Sequence, residues 1–208
     1  MIAIVDYGVG NLFSLKSSFK SIGEDAIVTS DEKVLAAADK IIFPGVGAYG
    51  DAAAKLHANG LGEAVIREAK KGKPIMGICL GMQLLFEKGY EYGEHNGLGL
   101  IPGDIRAISE VISPDLKIPQ IGWNALNFNG KKHPLFKYIK EGDFVYFVHS
   151  FHGVNCDESI IATTEYGGTV TAAVAHENVW GCQFHPEKSG NVGLAILRAF
   201  CQGKEALS

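Results

Sequence analysis

Short apolar runs that stop at glycine-rich turns are the feature that most limits how this chain can fold. Ile2–Val5 stops at Asp6-Tyr7-Gly8-Val9-Gly10, residues 40–43 stop at Pro44-Gly45-Val46-Gly47, and residues 74–78 stop at Cys79. Residues 26–28 form another such run. Helical patterns over residues 12–22, 51–56 and Leu61–Lys70 fill the gaps. Strands alternating with helices predict a parallel sheet with right-handed crossovers.

The second half reads differently. Strand patterns follow one another at residues 100–108, 121–128, Phe144–His149, 160–164, 170–176 and 179–184. A closing helix over residues 190–201 carries Val192, Leu194, Ile196, Leu197 and Phe200 at helical spacing. The chain therefore reads as one α/β domain over residues 1–208. Its core is a doubly wound, mostly parallel or mixed sheet flanked by helices, with a strand-rich second half.

Composition narrows the function classes. The 208 residues suffice for one sizeable core, and 47% hydrophobic with 20% charged residues excludes a disordered chain. A formal charge of -4 gives no electrostatic reason to expect nucleic acid or an anionic membrane as partner. No apolar run approaches the roughly 20 residues of a membrane helix. Residues 1–6 do not read as a secretory leader. The four cysteines are scattered without a CxxC pair, which suits free thiols in a reducing compartment, so a cytoplasmic protein is expected.

The run Gly77-Ile78-Cys79-Leu80-Gly81 ends an apolar strand. Small residues on both sides of a central nucleophile are what a sharp strand-to-helix turn requires. The helix then expected over residues 82–86 would place the sulfur near its N-terminus, where partial positive charge favours thiolate. A buried structural cysteine at a tight turn fits the pentapeptide equally well. A thiol nucleophile needs a base and gains from an orienting carboxylate. His185-Pro186-Glu187 offers both: Pro186 pushes His185 towards an extended backbone, so residues two apart would point the same way.

Acyl transfer also needs donors for the oxyanion. In Pro44-Gly45-Val46-Gly47 the glycines flanking Val46 allow a backbone N–H to turn outward, and the N–H of Leu80 would be the second donor. A phosphate-cradling loop is the weaker alternative, because no Gly-Lys-Ser/Thr follows and no full GxGxxG occurs. His149 and His152 lack a further ligand cluster for tetrahedral zinc, so no metal and no cofactor are expected. The remaining histidines read as surface or structural, and Lys70-Lys71-Gly72-Lys73 as a solvated helix end.

Taken together, PGVG at 44–47, GICLGMQ at 77–83 and FHPEKS at 184–189 resemble the class I, triad-type glutamine amidotransferases. The likeness runs from Ile4 to Phe200. Within the family, residues 6–12, Gly122-Trp123-Asn124 and residues 146–150 resemble glutaminase subunits that serve a separate (β/α)8 cyclase subunit in histidine biosynthesis. The resemblance implies a flavodoxin-like fold and a Cys79-His185-Glu187 triad that takes glutamine through a thioester to glutamate and ammonia. It implies Val46 and Leu80 as oxyanion donors, and Gly47, Gln83, Glu91, Ser150 and Phe151 as the glutamine pocket, with Glu91 meeting the α-amino group. It also implies that Trp123, Asn124, Tyr146 and Lys188 line the face that docks the cyclase. Cys182 stands where valine is frequent in the family, and Phe151 where tyrosine is common.

Overall fold

The computed structural model describes residues 1–203, so the last five residues of the expected domain lie outside that range. Strand β1 (Ile2–Val5) leads through α1 (Leu12–Ser21) to β2 (Ala26–Thr29), and α2 (Glu32–Ala37) leads to β3 (Lys40–Gly45). Helices α3 (Tyr49–Asn59) and α4 (Leu61–Lys70) cross to β4 (Ile75–Cys79), and α5 (Leu80–Leu84) follows without a break. Three strands come next: β5 (Phe86–Gly89), β6 (His95–Asn96) and β7 (Ile101–Ala107). Then come β8 (Gln120–Ala125), β9 (Phe144–His149) and β10 (Phe151–Val154). The chain ends with β11 (Ile160–Glu165), β12 (Thr169–His176), β13 (Val179–Cys182) and α6 (Gly190–Gln202).

The main sheet has the order β11-β12-β13-β4-β3-β1-β2. Its five strands from β2 to β13 are parallel, and β12 and β11 add antiparallel pairs beyond β13. The strand-rich half also supplies a four-stranded sheet, β10-β7-β5-β6, and a two-stranded ribbon, β8-β9. Alternation sends Ile2 and Ile4 to one face of the main sheet and Ala3 and Val5 to the other. On one face Ile4, Ile42 and Met76 pack with Leu15 and Phe19 of α1 and Ile196, Leu197 and Phe200 of α6. On the opposite face Val5, Ile41 and Phe43 pack with Leu56 of α3 and Val65 of α4. Full burial of such side chains contributes about 1.5–3 kcal/mol each.

Three local expectations change. The helix after Cys79 is only five residues long, and Phe86 already belongs to β5. The carbonyls of Leu84, Leu85 and Phe86 accept hydrogen bonds from the N–H groups of Leu98, Leu100 and Gly99. Tertiary pairing thus takes over a run whose leucines would otherwise continue a helix. Helix α2 escapes the sequence reading because six residues show little period; Asp31 caps it, its carboxylate accepting from the Lys33 N–H at 2.8 Å.

The expected solvated lysine cluster is the third. Lys73 is almost buried and binds Glu68 at 2.8 Å, and it donates to the carbonyls of Leu35 and Ala36 at the end of α2. Lys71 reaches the other oxygen of Glu68 at 2.6 Å. Burial disfavours the charge on Glu68, but the two lysines outweigh it and hold the carboxyl below its usual range.

The β4–α5 turn fixes the geometry of this end of the sheet. A methyl group on Gly81 would lie 1.8 Å from the carbonyl oxygen of Phe43, and one on Gly77 would lie 2.7 Å from the backbone of Met82. The end of β3 and the start of α5 are therefore in backbone contact.

Two outcomes follow from this packing. Gly81→Ala should cost about 3 kcal/mol in urea unfolding, because backbone rather than a pliable side chain must yield. Glu68→Ala should cost about 2 kcal/mol at neutral pH. A depressed carboxyl contributes above its unfolded titration range and loses that contribution as pH falls through its folded one. The deficit of Glu68→Gln against the parent should therefore shrink in acid unfolding series.

Candidate active site

The parallel register assembles the site. Gly45 stands opposite Cys79 across β3 and β4, and Cys182 stands opposite Ile78 across β4 and β13. The segments leaving these three strands, residues 44–47, 79–83 and 183–188, converge at the carboxyl end of the sheet, where open α/β folds place their ligands. Cys79 adopts φ 54° and ψ −116°, a conformation non-glycine residues seldom hold without enforcing contacts. Those contacts are the close approaches at Gly77 and Gly81. The side chain is nearly buried, and the helix that follows is too short to supply much dipole.

Three groups surround the sulfur. His185 lines the same cleft as the sulfur and is coupled to it electrostatically. The amide of Gln183 donates to it at 3.7 Å, and the carbonyl oxygen of Val148 lies 3.9 Å away as an acceptor for the S–H. His185 Nδ1 is 2.8 Å from Glu187 Oε1, with both side chains buried. His185 is extended, as Pro186 requires (φ −101°, ψ 97°), but Pro186–Lys188 forms a 3-10 turn. The turn, not an extended i to i+2 pairing, returns Glu187 to the imidazole. Burial opposes charge on His185, yet its interactions with Cys79 and Glu187 prevail and lift it to about 9.

The sulfur opens onto a cleft of about 390 Å³. Val46, Gly47, Leu80, Gln83, Glu91, Ser150 and Phe151 all line it, so the geometry brings the expected pocket residues together. Gly47 has φ 96°, and Val46 is exposed. Glu91 Oε2 accepts from the Tyr49 N–H at 2.6 Å, and His95 binds the Glu91 carbonyl at 3.1 Å. The phenylalanine at 151 forfeits a hydroxyl but keeps a backbone role, its carbonyl accepting from Gln83 Nε2 at 3.2 Å.

Beside the cleft, Trp123 pairs in register with Tyr146 on the β8-β9 ribbon, and the rings meet edge to face at 6.0 Å. Trp123 is half exposed. Lys188 Nζ sits 5.8 Å over the Tyr146 ring and also lines the cleft. Asn124 donates to the Glu165 carbonyl and accepts from Gln120.

Some lining groups escaped the sequence reading. His149 is buried, with Nδ1 2.8 Å from the Phe151 carbonyl and Nε2 3.0 Å from Gln120 Oε1; burial pushes it down to about 4. Its inward position in the alternation of β9 was the available signal. His152 turns elsewhere and accepts from the Thr171 N–H. Tyr7, in the first glycine-rich turn, donates its hydroxyl to the Pro44 carbonyl at 2.8 Å and so braces the 44–47 loop. Burial pushes Cys156 and Cys201 up to about 12, and fully buried Cys182 well above its ordinary value. Among the described residues no group of three His, Cys, Asp or Glu side chains is placed to hold a metal ion, and no helix is long and apolar enough to cross a membrane.

A thiol, an imidazole and a carboxylate in line at the mouth of a cleft can perform acyl transfer, and the comparisons with known proteins agree. Residues 3–202 match the family described as "Glutamine amidotransferase class-I". The imidazole glycerol phosphate synthase subunit HisH of Sulfurimonas denitrificans is 50% identical over 202 residues, covering 96% of this chain and 97% of the relative. The subunit of the same name from Wolinella succinogenes is 47% identical over 204 residues, covering 97% and 99%. Among solved structures, the one described as PurLQS from Thermotoga maritima superposes with a TM-score of 0.75 at 21% identity, over 97% of both chains, which speaks for the fold. The chain belongs to the class I glutamine amidotransferases and, within them, to the HisH subunits of imidazole glycerol phosphate synthase.

Proposed function

We propose that Cys79, His185 and Glu187 carry the glutaminase reaction of this subunit, in a single domain spanning the chain. The observation that carries the assignment is that Cys79 and His185 line one cleft of small-molecule size while Glu187 is hydrogen-bonded to the far side of the imidazole. The imidazole takes the thiol proton, and the sulfur attacks the side-chain amide carbon of glutamine. The oxyanion takes hydrogen bonds from the N–H groups of Val46 and Leu80. Collapse breaks the C–N bond as the imidazolium protonates the leaving nitrogen, which releases ammonia and leaves a thioester at Cys79. Water, deprotonated by His185, attacks the thioester; glutamate departs and the thiol is restored. Glu187 holds the imidazole in the required tautomer and steadies its charge. Gly47, Gln83, Ser150 and Phe151 position the substrate, and Glu91 takes its α-ammonium group.

The ammonia then serves a (β/α)8 cyclase subunit of imidazole glycerol phosphate synthase, bound as a heterodimer. There it meets a phosphoribulosyl-formimino intermediate and yields imidazole glycerol phosphate and an aminoimidazole carboxamide ribotide. Four residues support a docking face next to the cleft: the half-exposed Trp123, with Tyr146, Asn124 and Lys188. Aromatic anchors beside a cation are the composition that interface centres favour. The free thiols fit a cytoplasmic setting.

Cys79→Ala should abolish glutamine-dependent turnover by the two-subunit complex and leave turnover with added ammonium salt intact; loss of both would refute this division of labour. Trp123→Ala should weaken binding of the cyclase subunit about tenfold or more in titration calorimetry, at unchanged stability of this chain.

A further inference from the structure

Gln183, between β13 and His185, has no role in the reaction as set out above. It is wholly buried, and its backbone N–H donates to the Ala172 carbonyl at 2.8 Å. A buried amide is costly unless both ends are bonded, and here both ends point at the site. Gln183 Oε1 accepts from Gln83 Nε2 at 3.0 Å, and Gln183 Nε2 donates to the Cys79 sulfur at 3.7 Å.

The orientation of the two amides follows from a group that cannot flip. The backbone carbonyl of Phe151 only accepts, and Gln83 stands 3.2 Å from it, so Gln83 must present its NH₂ there. The second hydrogen of that NH₂ faces Gln183, which must answer with its oxygen. The NH₂ of Gln183 is then directed at the sulfur. Reversing either amide would set oxygen against oxygen at Phe151 or nitrogen against nitrogen between the glutamines.

We propose that Gln183 is a positioning residue for the thiol site: its N–H steadies the sulfur of Cys79 as thiolate, and its oxygen holds Gln83 in orientation. Both hydrogens of the Gln83 NH₂ are thereby committed to protein, so its carbonyl end is the one presented to a ligand in the cleft. Around the sulfur, the carbonyl of Val148 can accept only from the thiol, whereas Gln183 and protonated His185 donate to the thiolate. The Gln183 donor acts twice in a turnover. It stabilises the sulfur that attacks, and it stabilises the same sulfur as leaving group when water opens the thioester.

This inference rests on Cys79 being the nucleophile, and its test does not depend on turnover. Iodoacetamide alkylation of the full chain is followed across pH by mass spectrometry of the Cys79 peptide, for the parent and for Gln183→Met. Loss of the donor should raise the pH midpoint of alkylation by about one unit, equivalent to about tenfold less thiolate at fixed pH. In the complex, kcat should fall as the donor is lost and KM for glutamine should rise as Gln83 is released. Gln183→Leu serves in the same measurement where Gln183→Met does not fold. An unchanged midpoint in a folded variant overturns the proposal, whereas glutaminase activity surviving in Cys79→Ala would overturn the assignment of the nucleophile instead.

Discussion

The backbone of the turn after β4 rests on the end of β3, with no side chain between them. A single methyl group at Gly81 would collide with the Phe43 carbonyl, and from this contact much of the site follows. It holds Cys79 at a positive φ, aims its sulfur out of the sheet and sets Leu80 next to Val46. The parallel pairing of β13 with β4 then delivers Gln183 and His185 to the other side of the sulfur. Chemistry at this position depends on two strand registers and two glycines, and each of them is backbone geometry.

The electrostatics are arranged around one proton. Burial alone would lower His185, as it lowers His149 to about 4, yet His185 is lifted to about 9. The difference lies in partners: His149 faces a carbonyl and an amide, whereas His185 stands between a thiol and a carboxylate. Two buried imidazoles in the same neighbourhood are thus set to opposite protonation states by what they touch, one structural and one able to carry charge.

Much of this was legible in the chain. The parallel core could be read because short apolar runs ended in glycine, and the meeting of Cys79, His185 and Glu187 because they stand in motifs suited to sharp turns. The pocket residues came from resemblance, and the geometry gathers them in one cleft. What escaped depends on distant partners. Leu85 and Phe86 continue a helical pattern until residues 99–101 claim their carbonyls. Lys73 looks like a solvated charge until Glu68 and the end of α2 are brought to it. Gln183 and His149 are ordinary letters in strand patterns, and only the packing of β9 and β13 around the sulfur reveals what they face. Glu187 was named for the right neighbour by the wrong geometry, since a 3-10 turn replaces the extended pairing.

The four cysteine sulfurs are not equivalent. Cys156, Cys182 and Cys201 are held as thiols by burial, while Cys79 alone among them opens on the cleft. Among its cysteines, the folded protein therefore offers peroxide chiefly one sulfur. With Cys79 as the proposed nucleophile, oxidative stress would silence nitrogen release at one atom while leaving the fold, and the face proposed for a partner, in place. A damaged subunit of this kind would still occupy its place in an assembly, and its loss would be felt as a shortage of ammonia rather than a shortage of protein.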